Sequence, residues 1–125
     1  MVMHKNTYIE SPQVLNASYQ SKAYPNIFVA GQISGVEGYV ESAASGLNAA
    51  IQMALHVRKK PLNPLPETTM MGAMAQYIST PNKSFVPMNA NLGLFPQLTI
   101  KHKKKERKAL YAQRSLNDLN LYIKG

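Results

Sequence analysis

The sequence contains no cysteine and no tryptophan, and its six acidic residues face fourteen lysines and arginines. Without cysteine there is no disulfide framework, no thiolate metal site and no cysteine nucleophile. No apolar run approaches the roughly 18 residues needed to span a bilayer. The opening MVMHKNTYIE also lacks the apolar core of a signal peptide. A cytoplasmic address is therefore the expectation, with no membrane partner. Histidine is scarce too. His4, His56 and His102 stand apart, none with a partner at metal-ligand spacing, so no metal site is expected. No local Ser/His/Asp signature suggests a catalytic nucleophile.

What is present is enough for one modest domain with a core: 125 residues, 45% of them hydrophobic. The net charge of +8 is unevenly spread. Residues 101–108, KHKKKERK, hold six Lys/Arg against one Glu, and smaller basic spots lie at Lys22 and Arg58-Lys59-Lys60. Lys101, Lys103, Lys104, Lys105, Arg107 and Lys108 are thus candidate contacts to a nucleic-acid backbone. The same octamer also reads as a solvated helix face, and composition alone does not choose between the two.

Periodicity gives the organisation. Asn6-Thr7-Tyr8-Ile9 reads as a short strand stopped by Ser11-Pro12, and residues 13–22 are polar and at most loosely helical. After the turn chemistry of Tyr24-Pro25-Asn26, the run Ile27-Phe28-Val29-Ala30 reads as a buried strand. From about Tyr39 to Arg58 the period becomes helical, with Val40, Ala43, Ala44, Leu47, Ile51, Ala54 and Leu55 on one stripe. Pro61 forces the stop. A Pro-rich connector, PLNPLP, leads to a second helix over 67–79 with Met70, Met74, Tyr77 and Ile78 on one face. Residues 79–96 read as an ordered loop, and a third helix is expected from about Thr99 to Ile123 with Leu110, Leu116, Leu119 and Ile123 as its apolar seam. The expectation is an α/β fragment: one to a few short strands plus three helices, divided at 1–60, 61–98 and 99–125. A lone short strand needs partner strands, and this sequence offers few.

The segment with most chemical content is Asn26–Gly46, NIFVAGQISGVEGYVESAASG. Strand, Gly-rich turn, helix is the geometry in which free N–H groups at a helix start can meet a phosphate or dinucleotide. The spacing, Gly31-x3-Gly35-x2-Gly38, departs from the G-x-G-x-x-G fingerprint. On spacing alone a nucleotide site and an ordinary β–α turn with close helix packing both stay open.

Here the sequence resembles a known family. FVAGQISGVEGYVESAASGL looks like the last strand–helix unit of the folate- and FAD-dependent tRNA uracil-C5 methyltransferases. Pro66-Glu67-Thr68, Gln76-Tyr77-Ile78 and the PMNANLGLFP stretch ending at Pro96 are similar to that family's C-terminal signature. The resemblance spans roughly residues 4–96 and continues more loosely into the basic helix. The related GidA family, which modifies wobble uridines, shares the Gly31-Gln32-Ile33 start and a Gly-Tyr pair. Val36-Glu37 before Gly38-Tyr39, Val40-Glu41-Ser42 after it, and PMNANLGLFP favour the methyltransferases.

The resemblance implies the C-terminal part of an FAD/NAD(P)-binding Rossmann-like fold. In the intact enzyme it implies FAD, methylenetetrahydrofolate and NAD(P)H as cofactors, and tRNA as substrate. By the same analogy Gly31, Gln32, Gly35, Val36, Glu37 and Gly38 would line the flavin, and Tyr39 either stacks near it or is a core tyrosine at a helix start. Glu41 and Ser42 are expected to be structural, and the asparagines of PMNAN to fix their loop through side chain–backbone bonds. Two departures matter: the family's reaction relies on cysteines, absent here, and no N-terminal G-x-G-x-x-G unit is present. No catalytic residue is therefore assigned. The expectation is a segment inactive alone and completed by a missing N-terminal FAD-binding and catalytic portion. Two rival readings remain, a freestanding basic RNA-binding module and a truncated, poorly folded product.

Overall fold

A computed structural model describes residues 8–82 and 85–124. Four helices account for most of the regular structure: α1 (Ser11–Val14), α2 (Tyr39–Val57), α3 (Met70–Ser79) and α4 (Arg107–Lys124). Short 3-10 turns lie at Gln32–Ser34, Leu92–Leu94 and Lys104–Glu106.

The ends of each helix follow from local chemistry. In α1, Pro12 sits in the first turn, where its missing N–H costs nothing. The expected strand stop is thus a helix start. Helix α2 closes with a Schellman-type pair, the Lys60 N–H donating to the Leu55 carbonyl and the Lys59 N–H to that of His56, both at 2.9 Å. Lys59 takes the left-handed position at φ 60°, a place that favours glycine, just ahead of Pro61. Helix α3 begins at Thr69, whose hydroxyl accepts from the Gly72 N–H at 3.0 Å and donates to the Pro66 carbonyl at 2.7 Å. Helix α4 starts eight residues later than periodicity suggests. The Glu106 carboxylate accepts from the Lys103 N–H at 2.9 Å and fixes a 3-10 turn there, leaving 99–103 outside the helix.

The α/β expectation is corrected: the described residues form no strand. Isolated bridges join Leu15 to Ser21, Gln20 to Phe28 and Val36 to Met88. Residues 27–30 are paired along one side only, with Val29 donating to Tyr19 and Ser21 donating to Ile27. A ladder needs successive paired residues, and 19–21 supply only enough for one bridge. Of the expected strand at 6–9, Asn6 and Thr7 lie outside the described residues, and Ile9 donates to the Ile33 carbonyl at 2.8 Å.

The core gathers Leu15, Tyr19, Val36, Ala49, Met74, Ala75, Ile78, Phe85 and Met88. Helix α3 packs as its periodicity predicts, Met74 and Ile78 inside with Met70 and Tyr77 against them. Helix α2 does not. Its expected apolar stripe is largely outward, with Val40 79% and Leu47 57% exposed, whereas Ser45, Asn48, Ala49 and Gln52 are buried. For Ser45 and Gln52 the reason is their neighbours, which are backbone polar groups, whereas Ala49 packs in the core and the buried Asn48 amide has no hydrogen-bond partner among the described residues. Ser45 accepts from the Gly31 N–H at 2.8 Å. Gln52 donates to the Asn63 carbonyl at 2.7 Å and accepts from the Asn63 N–H at 2.8 Å. The expected seam of α4 is likewise open at Leu116 and Ile123. Polar clamps hold that helix instead. Tyr122 donates to the Asn63 carbonyl, Thr68 donates to the Asp118 carboxylate, both at 2.6 Å, and Ser115 donates to the Thr68 carbonyl.

Three substitutions test this packing. Gln52→Leu strands the Asn63 N–H, leaving its carbonyl to Tyr122 alone, and should cost roughly 1–3 kcal/mol in urea unfolding, while Leu47→Gln should change stability by less than about 0.5 kcal/mol. A Cβ at Gly72 would stand 1.9 Å from the Pro66 carbonyl oxygen. Gly72→Ala should therefore destabilise by about 1–3 kcal/mol despite alanine's better helix propensity.

Candidate functional site

The turn from Gly31 to Gly38 needs its glycines for three different reasons. Gly31 has φ 82° and open space where a Cβ would stand. Gly35 has φ 99°, and a Cβ there would meet the Phe85 ring at 2.4 Å. Gly38 has φ 96°, and a Cβ there would meet the Glu41 carboxylate at 2.3 Å. All three φ values lie in the region that disfavours side chains.

Of the residues singled out by sequence, Gln32, Gly38 and Tyr39 come together with Ser42 around an open depression of about 350 Å³ at the start of α2. Tyr39 is 97% exposed, which removes the core-tyrosine reading. Val36 is fully buried in the core, and Gly35 faces Phe85, so neither side of the turn at these two positions opens on the depression. Glu37 donates its N–H to the Met88 carbonyl at 2.9 Å. Ser42, expected to be structural, borders the depression and donates to the Val36 carbonyl at 3.3 Å.

Glu41 and the asparagine loop close one side of this region. The Glu41 carboxylate accepts from the Ala90 N–H at 3.2 Å and from the Asn89 amide at 3.3 Å. Asn89 also donates to the Glu37 carbonyl, and Asn91 accepts from the Gly93 N–H at 2.8 Å. The loop is thus fixed by its asparagines as the sequence suggests. Bonds from the Glu41 N–H, then from Ala90 and Asn89, hold its carboxyl below the usual carboxylate range. Sequence periodicity alone gives no sign of this contact, because Glu41 and Ala90 are far apart in the chain.

The basic residues form a second, separate group. Lys101, Lys103, Lys104, Lys105, Arg107 and Lys108 are all exposed, on the extended lead-in and first turn of α4. Arg114 stands apart from them. It donates to the Pro96 carbonyl at 2.6 Å and lies 5.2 Å from the centre of the Tyr111 ring, which stacks on Phe95. No helix among the described residues is long and apolar enough to cross a membrane.

Comparison with known proteins finds two similarities. Residues 1–61 match the family model described as glucose inhibited division protein A. Over nearly its whole length the chain is similar to proteins named methylenetetrahydrofolate--tRNA-(uracil-5-)-methyltransferase TrmFO. It is 56% identical to that of Acholeplasma laidlawii over 99% of the chain and 51% identical to that of Halalkalibacterium halodurans over 98%. A Listeria monocytogenes protein of the same name is 53% identical over 93% of the chain. The chain spans 29%, 29% and 27% of these relatives, respectively.

The lowered carboxyl of Glu41 sets a pH dependence. Its folded-state affinity for a proton is below that of the unfolded chain, so its contribution is complete above the ordinary carboxylate pKa and lost as pH falls through the lower, folded value. Thermal melts of wild type and Glu41→Gln should therefore differ near pH 7 and converge below about pH 4. Convergence absent, or a difference that grows on acidification, counts against the contact.

Proposed function

We propose that the chain forms part of an FAD-dependent tRNA methyltransferase of the TrmFO kind, which moves a one-carbon unit from methylenetetrahydrofolate to C5 of a T-loop uridine. The observation that carries this reading is the similarity over 99% of the chain, together with the open depression at Gln32, Gly38, Tyr39 and Ser42. Because the match to TrmFO proteins continues past residue 61, it supports this reading over wobble-uridine chemistry. The chain's role is supportive. It contributes a flavin-facing turn and a tRNA-facing basic segment and is inactive alone.

The residues present fit one end of the cofactor better than the other. The Glu41 carboxylate lies beside Gly38, so the start of α2 already carries a negative group. A phosphate would be repelled there. An uncharged ring system with carbonyl acceptors, flanked by the exposed Tyr39 ring, suits the same place. When bound, the flavin supplies the reducing equivalents. Gln32, Gly38 and Tyr39 would hold its edge, Gly31 would admit it closely, and the Asn89–Glu41 contact would keep the loop from collapsing onto it. NAD(P)H, in this reading, serves the intact enzyme through residues outside this chain.

For tRNA, the exposed cluster at 101–108 supplies phosphate contacts. Changing Lys103, Lys104 and Lys105 together to Ala should weaken tRNA binding about tenfold or more near 0.1–0.2 M salt. The slope of log affinity against log salt should become shallower by roughly two to three. Filter binding across a salt series reads both. Unchanged affinity and slope would remove the cluster from the interface.

A further inference from the structure

A recess of about 240 Å³ lies between the lead-in to α4 and the helix itself, sharing no lining residue with the depression at the start of α2. Leu98 and Ile100 from the lead-in and Leu110 from the helix give it apolar walls. Arg114 borders it too and holds those walls together. Its guanidinium donates to the Pro96 carbonyl at 2.6 Å and to the Gln97 carbonyl at 3.3 Å, and lies 5.2 Å from the centre of the Tyr111 ring. Three contacts fix the group, so the recess is formed before any ligand arrives.

Its polar rim is a pair of carboxamides. Gln113 and Asn117 are four residues apart and so share one face of α4. The Gln113 Nε2 donates to the Asn117 Oδ1 at 3.0 Å, which leaves the Gln113 Oε1 as an acceptor and the Asn117 Nδ2 as a donor, with no other partner among the described residues. Asp118, also on the rim, already accepts from the Thr68 hydroxyl at 2.6 Å. One carboxylate and one guanidinium give the recess no net charge, so it does not call for a phosphate. Phosphate-binding chemistry lies next to it instead: Lys101 follows Ile100 directly, and Lys108 stands two residues before Leu110. From Lys108 to Gln113 the helix rises about 7–8 Å at roughly 1.5 Å per residue, within the reach of a base from its own phosphate.

We propose that this recess takes one unpaired nucleobase of an RNA strand whose phosphates lie along residues 101–108. The proposal rests on the functional reading above for tRNA as that RNA, and deepens it by adding a base contact to the backbone contacts of the lysines. Unstacked bases are bound by apolar or guanidinium contact to their faces and by hydrogen bonds to their edges, the combination present here. Every base carries a donor beside an acceptor on its pairing edge, and the Gln113–Asn117 pair offers an acceptor beside a donor. In a duplex that edge is occupied. The recess therefore separates unpaired from paired RNA and accepts any of the four bases. Size agrees, since the volume falls below the roughly 300–1,000 Å³ of sites for drug-sized ligands and suits one ring system rather than a whole nucleotide cofactor.

The side-chain amide resonances of Gln113 and Asn117 report on the recess directly. Titrating the full chain with an unstructured oligouridylate should shift both, and a fully paired RNA duplex of the same length should leave them in place, whereas the backbone amides of 101–108 respond to either RNA. With a tRNA transcript, Gln113→Ala combined with Asn117→Ala should weaken binding roughly three- to tenfold at an unchanged slope of log affinity against log salt, because no phosphate contact is lost. Amide shifts that are equal for the duplex, or absent with both RNAs, overturn the proposal. So does a variant that binds tRNA like wild type or that also flattens the salt slope. Shifts that grow with protein concentration before RNA is added overturn it as well, since they identify a second copy of the chain as the occupant. Both side chains are exposed, so the variant should melt like wild type; if it does not fold, the two titrations decide. Oligouridylate shifts without tRNA binding keep the recess and sink the tRNA reading, and tRNA binding with silent amides does the reverse.

Discussion

The parallel pairing of Val36 with Met88 is the contact on which the other parts converge. The Met88 N–H donates to the Gly35 carbonyl and the Glu37 N–H donates to the Met88 carbonyl, both at 2.9 Å. Those two bonds close Val36, Met88 and Phe85 into the core, each a side chain whose burial is worth about 1.5–3 kcal/mol. The same turn receives the N-terminal segment, through Ile9 on the Ile33 carbonyl and the Ser11 hydroxyl on the Ser34 carbonyl at 2.6 Å. It also meets α2, through Gly31 on Ser45. The turn is held from three sides, and its shape is therefore set by packing as much as by its glycines. This is the physical sense in which a Gly-rich turn can be rigid.

That convergence explains what could be read from sequence and what could not. Helix α3, the existence and end of α2 and the asparagine-fixed loop were legible, because each is decided by residues close in the chain. The side α2 turns inward was not. Hydrophobic periodicity reports that a helix has an apolar stripe, and the usual inference is that the stripe meets the core. Here the inner face meets the Gly31 N–H and the Asn63 peptide, which demand hydrogen-bonding partners. Ser45 and Gln52 meet that demand and take the inner face, leaving Val40 and Leu47 outside. The run Ile27–Ala30 failed as a strand for a related reason: strand propensity is local, but a ladder is a property of neighbours. The late start of α4 turned on one carboxylate, that of Glu106, reaching back to Lys103. For the candidate site, the sequence indicated the turn but not the division within it, since nothing local separates the core-facing Val36 from the exposed Tyr39 three residues on.

The two long helix starts of the chain are treated in opposite ways, and the contrast bears on what each can meet. Any helix start carries partial positive charge and unpaired N–H groups, and so attracts anions. At α2 that attraction is answered internally, because the Glu41 carboxylate folds back to its own N–H and bridges to Ala90 and Asn89. At the start of α4 the arrangement is reversed. Lysines and arginines crowd a place where cations are disfavoured, with Glu106 the one acidic side chain among residues 101–108.

Stability does not account for that second choice, since a helix needs no cations at its positive end. On the proposed reading an external polyanion would: the helix start and the side chains then act in the same direction, and the unfavourable crowding is relieved on binding. By these charges a phosphate would be repelled at α2 and drawn to α4. In the proposed reading, the charged partner meets residues 101–108 and an uncharged one meets the depression at Gln32, Gly38 and Tyr39. In that reading, a turn that departs from the phosphate-binding fingerprint, and whose helix start carries its own carboxylate, meets the ring end of a dinucleotide rather than its phosphates.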